Sequence, residues 1–313
     1  MIERARRPAR LLVCVLGIAS VLFGCATDMT REELAAEYYN LGTAYLDLGE
    51  PERAAEYFLR AIDLDREFVE ADFNLARAYL EGDRISDAIS VLSSLLAEDP
   101  RNTTLLRTLG YAYYRAGDDE RAREYYESAL EENEADVDAL YNLGIIDSEA
   151  ERYEDALAYL EHAEELDDGE DIARALGLAY FALGRDEEAE ERLVGLTAPD
   201  DEEIDVEVMW ALAELARRAT EFGTAVERYQ AASGADPDDP RPRYKIAEIR
   251  LVHIDEEEAG LADLRSALER NYSDVARLEL LLADLEGTRK ELVEGIILDA
   301  GFVVENGRVS GEE

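Results

Sequence analysis

The side chains able to make or break bonds are few. The chain holds two cysteines, Cys14 and Cys25, and two histidines, His162 and His253, which stand far apart and form no metal-ligand pair. No Gly-x-Ser-x-Gly, phosphate-loop or dinucleotide pattern occurs. Asp236-Pro237-Asp238-Asp239 lacks the glycine and distal glutamate of a calcium loop. With 75 Asp and Glu among 313 residues, an acidic pair carries no information about general acid–base work. These features predict no enzyme activity, no cofactor and no metal. Noncovalent recognition is better supplied. Tyr39, Phe73, Arg107, Tyr141, Arg174, Trp210 and Tyr244 each stand two residues before a recurring leucine or isoleucine. Tyr111, Tyr114, Arg115, Phe181, Arg217 and Arg218 follow one or two helical turns later. Aromatic rings and guanidinium groups anchor interfaces at low entropic cost.

Charge limits what such a surface could meet. Lys and Arg total 32, of which only Lys245 and Lys290 are lysine, and the formal net charge is −43. Nucleic acid is excluded as a partner, because its phosphates would be repelled. Unaided adhesion to an anionic membrane is disfavoured for the same reason. Hydrophobic residues make up 47%, which predicts a packed core rather than disorder. Abundant acid with almost no lysine is also the surface chemistry of salt-adapted proteins.

Arg4, Arg6, Arg7 and Arg10 precede an apolar run from Leu11 to Gly24, the order of a secretory signal. The run is shorter than the ~20 residues a spanning helix needs. It ends in Leu22-Phe23-Gly24-Cys25, which resembles the bacterial lipobox, although Phe23 is bulkier than usual there. The resemblance implies cleavage before Cys25, acylation of its thiol and a location in the bacterial cell envelope. Ala26 after the cysteine points, by the enteric sorting rule, to the outer membrane, facing the periplasm. Loss of residues 1–24 removes four arginines and one glutamate, leaving −46 on the mature chain and no free thiol. Thr30 and Glu33 have capping-box spacing, so a first helix is predicted near Arg31. About five residues then separate helix from lipid, at most ~18 Å.

The remaining residues belong to a repeat. Leu41-Gly42, Leu75-Ala76, Leu109-Gly110, Leu143-Gly144, Leu176-Gly177, Leu212-Ala213 and Ile246-Ala247 recur every 33 to 36 residues. Alanine stands twelve residues after each small residue: Ala54, Ala88, Ala122, Ala156, Ala189, Ala225 and Ala259. Small residues let two helices approach closely. Gly49, Gly117 and Gly184 mark the turns between them, and Pro100 and Pro237 the ends of second helices. Period and pattern, with Leu140-Tyr141-Asn142-Leu143-Gly144 followed by Ala156 and Leu160, resemble the tetratricopeptide repeat.

That resemblance implies an all-α fold, one right-handed solenoid of about seven helix–turn–helix units. The expected organisation is a signal peptide (1–24), a lipidated tether (25–30) and the repeats over 31–271, divided at about 35–68, 69–102, 103–136, 137–169, 170–205, 206–239 and 240–271. Capping helices follow at 272–301 and a flexible tail at 302–313. The fifth and sixth repeats carry a one-residue deletion and a two-residue insertion around Pro199 to Glu203. The seventh has Arg250 and Asp263 where the others mostly place aromatic and apolar residues. Residues 274–285 read as an amphipathic helix, Thr288 and Glu291 as another helix start, and Asn306-Gly307 as a turn whose arms are short for a hairpin.

Members of the repeat family present first-helix side chains to a concave groove, so the thirteen aromatic and arginine positions above are the expected peptide-binding residues. The chaperone-binding subclass begins its carboxylate clamp where this chain has Tyr39 and Thr43, and is not matched. The expectation is a membrane-anchored adaptor that binds a protein or extended peptide, touching the membrane only through its lipid. The alternative is a self-associating scaffold or assembly factor, and thus a homo-oligomer.

Overall fold

The computed structural model describes residues 29–197, 204–305 and 307–311. The signal, Cys25 and the insertion around Pro199 to Glu203 lie outside the described residues. Sixteen helices and one two-stranded hairpin are present among those described. Two compact units divide them, the first ending at Glu132 and the second beginning at Asn133.

The first unit holds three helical hairpins: α1 (Arg31–Asp47) with α2 (Pro51–Leu64), α3 (Val69–Glu81) with α4 (Ile85–Glu98), and α5 (Thr103–Arg115) with α6 (Asp119–Glu132). The second continues with α7 (Val137–Glu149), α8 (Tyr153–Leu166), α9 (Glu170–Ala182), α10 (Asp186–Val194), α11 (Val206–Arg218), α12 (Phe222–Ala235), α13 (Arg241–Val252) and α14 (Glu257–Glu269). It closes with α15 (Val275–Asp284), α16 (Gly287–Asp299), β1 (Phe302–Glu305) and β2 (Arg308–Gly311). Four of the seven first helices begin on side-chain caps: Thr30 forms a reciprocal capping box with Glu33, and Asn102, Asp136 and Asp205 accept first-turn N–H groups.

Packing within a hairpin follows one rule. The small residue of the first helix meets a large side chain sixteen positions later: Gly42 meets Phe58, Gly110 Tyr126, Gly144 Leu160 and Gly177 Leu193. Leu92 and Tyr229 occupy the same register after Ala76 and Ala213. All six large side chains are fully buried, as are Ala54, Ala88, Ala122, Ala156, Ala189 and Ala225. Every intervening turn holds one left-handed residue. Gly49, Gly117 and Gly184 are joined there by Asp83, Glu151, Thr220 and Asp255, with φ between 57° and 62°. Three of the seven turns thus have no glycine, and in the second the left-handed residue is Asp83 rather than its neighbour Gly82.

The seventh hairpin departs from the expected register. Its turn, residues 253–256, is one residue longer than the others, so Gly260 rather than Ala259 takes the buried position and Leu264 rather than Asp263 fills the core. Arg250 and Asp263 then face each other 2.6 Å apart, both largely buried. The equivalent positions in the first and third hairpins hold the stacked pairs Tyr45–Tyr57 and Tyr113–Tyr125. One departure from the repeat compensates the other.

The last twelve residues also differ from expectation. Residues 302–311 form an antiparallel hairpin in register Phe302↔Gly311. Its arms are short, but the hairpin is not isolated: Val309 is buried among Leu278, Leu281 and Ile297, and its N–H donates to Glu279 Oε1 at 2.8 Å. The helix expected from Thr288 begins instead at Gly287, without a side-chain cap. No described helix is long and apolar enough to cross a membrane.

Candidate peptide-binding site

First helices α7, α9 and α11 of the second unit line a cavity of about 490 Å³. Arg174, Phe181 and Trp210, three of the expected binding residues, meet there. Ile145, Leu178, Ala182 and Ala211 make the wall apolar, Tyr153 closes one side, and Glu149 and Glu207 bring acid. Ile145 and Leu178 stand two residues after their repeat leucines, the position of Tyr111 in the third repeat. A search for aromatic and arginine types alone passes over these aliphatic residues, although their register was visible.

Each arginine near the cavity is already committed. Arg174 donates to Asp205 at 2.5 Å and Glu207 at 2.6 Å. Burial opposes its charge, but the two carboxylates outweigh that and raise its pKa. Asp205 is pushed up by burial and, more strongly, down by Arg174 and the Val208 N–H, and ends below the usual range. Arg218 pairs with Asp186 at 2.6 Å, its guanidinium carbon 4.7 Å from the Phe181 ring centre. Burial raises the Tyr141 hydroxyl, Asp171 adds to this and Arg174 opposes it. The expected arginine stripe is therefore locally neutralised: the site offers apolar and aromatic surface with a slight acid excess.

Trp210 separates this cavity from a second, of about 410 Å³, which it lines with Arg241, Lys245 and Arg277. Its ring meets Tyr229 edge-on at 5.3 Å, and Arg241 lies 5.5 Å from its centre. Tyr244, expected to face the groove, is instead core: it is 1% exposed, stacks on Tyr272 at 4.2 Å and donates to the Arg277 carbonyl at 2.7 Å. Arg217 turns to Glu214 at 2.8 Å and belongs to a buried network with Tyr229 and Lys245.

In the first unit the expected residues serve the fold as well. Tyr39 packs on Phe58 and Phe68 and accepts a hydrogen bond from Asn74 at 2.8 Å. Phe73 packs against the unit's core. Arg115 donates to Tyr111 and Asp83, both at 3.1 Å. Arg107 and Tyr114 have partners of their own. Among the described residues no group of three His, Cys, Asp or Glu could hold a metal ion.

Comparison with known proteins agrees with this architecture. Tetratricopeptide repeat models match residues 39–103, 84–143 and 137–169. The Drosophila melanogaster protein O-mannosyl-transferase Tmtc3 is 32% identical over 148 residues, 47% of this chain but 16% of that protein, so only a small part of it is spanned. An uncharacterized lipoprotein of Treponema pallidum is 26% identical over 152 residues, 48% of this chain and 76% of its own. Among solved structures, Pseudomonas aeruginosa pilF superposes with a TM-score of 0.59 at 19% identity, covering 66% of this chain and 94% of that one. A tetratricopeptide repeat protein from Parabacteroides merdae gives 0.55 at 18%, covering 83% and 99%. The chain has the all-α tetratricopeptide fold, and its residues 39–169 are tetratricopeptide repeats.

Proposed function

We propose that this protein is an adaptor of the bacterial cell envelope, held by a lipid on Cys25 at the periplasmic face of the outer membrane, and that α7, α9 and α11 capture an extended segment of a protein partner. The observation that carries the binding site is the cavity lined by Leu178, Phe181 and Trp210, apolar in its wall and open to solvent. Its volume is that of a ligand pocket, room for more than one side chain of an extended segment, and buried apolar anchors supply most of the energy at such contacts. Since every nearby arginine is paired with acid, the partner's flanking charge is basic, and the chain's −43 steers it inward. Tethering supports weak contacts by raising local concentration. The relationship to a treponemal lipoprotein supports the anchor.

Two experiments test this. A photocrosslinking amino acid at Leu178, in cells, should yield a covalent adduct with one partner, while the same group at exposed Leu59 yields none; equal labelling at both sites would overturn the cavity. Cys25→Ser should abolish lipid labelling and leave unprocessed precursor; normal processing would overturn the anchor.

A further inference from the structure

Leu41 occupies a position that is buried in every other hairpin. Its equivalents Leu75, Leu109, Leu143, Leu176, Leu212 and Ile246 are at most 3% exposed, whereas Leu41 is 43% exposed. Within each unit such residues are buried because a first helix packs on the second helix of the hairpin before it, as α3 packs on α2. No described element precedes α1, and none among the described residues covers this face.

Leu41 lies on a stripe along α1 that is partly exposed: Leu41 and Leu48 are open, while Leu34, Tyr38 and Tyr45 are half-buried and Tyr45 stacks on Tyr57. Leu34, Tyr38, Leu41, Tyr45 and Leu48 follow spacings of four, three, four and three. At ~100° per residue they lie within an arc of roughly 80°. Leu48 is 70% exposed. Arg53 lies 4.1 Å from the Tyr45 ring centre and Arg60 5.8 Å from that of Tyr38. The opposite terminus is different: α15, α16 and the β-hairpin close the last repeat around Leu264, Leu282 and Ile297, all fully buried. Repeat arrays need a polar cap at each terminus, and among the described residues such a cap stands at the C-terminal end.

We infer that the outward face of α1 docks on the lipid bilayer, an inference that rests on the acylation of Cys25 proposed above. Three observations favour lipid over another occupant. About five residues between Cys25 and α1 hold the first turn of α1, where this stripe begins, within ~18 Å of the lipid. Leucine and tyrosine flanked by arginine are the side chains that partition to the bilayer interface, with apolar bodies buried and polar tips wet. A second copy would bring the acidic residues of α1 and α2, Glu37 at the rim among them, against their own kind, while zwitterionic headgroups add no net charge.

The test uses the lipidated full-length protein in phosphatidylcholine vesicles. Processing leaves no free thiol, so Leu41→Cys or Leu48→Cys supplies the one site for an environment-sensitive fluorophore, with Leu298→Cys on exposed α16 as control. Lipids brominated along the acyl chain should quench labels at 41 and 48 at least twofold more than the label at 298. Equal quenching at all three sites overturns the docking. So does energy transfer between labels at 41 on two copies without lipid quenching, which would assign the face to a second copy. Mass spectrometry beforehand separates the two levels: no acyl mass on Cys25 refutes the anchor and the docking with it, whereas acylated but unquenched protein refutes the docking alone. Two label positions, both exposed, keep a folding defect at one from deciding the result.

Discussion

Gly144→Ala adds one methyl group where α7 crosses α8, and the structure gives its surroundings. The new carbon would lie 2.5 Å from Leu160 Cγ and 2.6 Å from Cδ2, about 1 Å inside ordinary carbon–carbon contact of ~3.5 Å. Leu160 is fully buried and cannot swing into solvent, so the hairpin must open. Overpacking of that kind costs about 1–3 kcal/mol. Alanine in a helix interior returns ~0.5–1 kcal/mol relative to glycine. Gly223 isolates that second effect, since it is helical in α12 with nothing within 4 Å of an added carbon. Gly223→Ala should therefore stabilise by ~0.5–1 kcal/mol, and Gly144→Ala should fall ~1–3 kcal/mol below it. The second hairpin places Ala76 opposite Leu92 in the same register, so an alanine–leucine crossing is buildable when the helix separation suits it. The cost at Gly144 is that of refitting. Urea unfolding followed by circular dichroism and by Trp210 emission measures both variants in the same unit. Leu160→Ala should cost ~1 kcal/mol less in the Gly144→Ala background than in the parent, the coupling expected of two groups in contact. Equal stability of Gly144→Ala and Gly223→Ala would refute the close crossing.

Thr220 is β-branched yet left-handed at φ 62°, so Thr220→Gly should stabilise by ~1 kcal/mol in the same unfolding assay despite glycine's entropy cost; a loss of stability would show that the turn is not strained. Glu214 is buried and accepts from Tyr229 and Arg217, with Lys245 at 3.8 Å. Burial raises its carboxyl, but these partners outweigh that and hold it below the usual range. A depressed folded-state pKa stabilises above the unfolded value and loses that contribution as pH falls through the folded one. Glu214→Gln should accordingly unfold ~1–3 kcal/mol more easily near neutrality, with the gap to the parent closing below about pH 4; a pH-independent gap would contradict the network's charge. The net charge of −43 predicts that melting temperature rises from low to high salt as self-repulsion is screened, and a flat profile would count against it.

The candidate site was half legible. Arg174, Phe181 and Trp210 come together because helical period and repeat register dictate which side chains share a face. What they do there was not legible, since Asp205 and Asp186, which pair with Arg174 and Arg218, reach them from 31 and 32 residues away. Tyr244 shows the same limit: its register marks the groove, but α15 covers it, and nothing in the repeat pattern announces that helix's path. The seventh hairpin misleads by one residue, because an added turn residue shifts every later position while leaving Ala259 at the expected spacing.

The sequence alone determined the hairpin as a unit. Small residues at fixed spacing, a capping residue before four of the first helices and a period near 34 residues act locally or between adjacent helices, where chain connectivity leaves one way to pack. Tertiary structure decided which copies of a repeated residue are buried. Leu41 and Leu75 are the same residue in the same register, yet one is 43% exposed and the other 3%. The difference belongs to the neighbour, because a repeat buries its face only against the next one, and the first has none before it among the described residues.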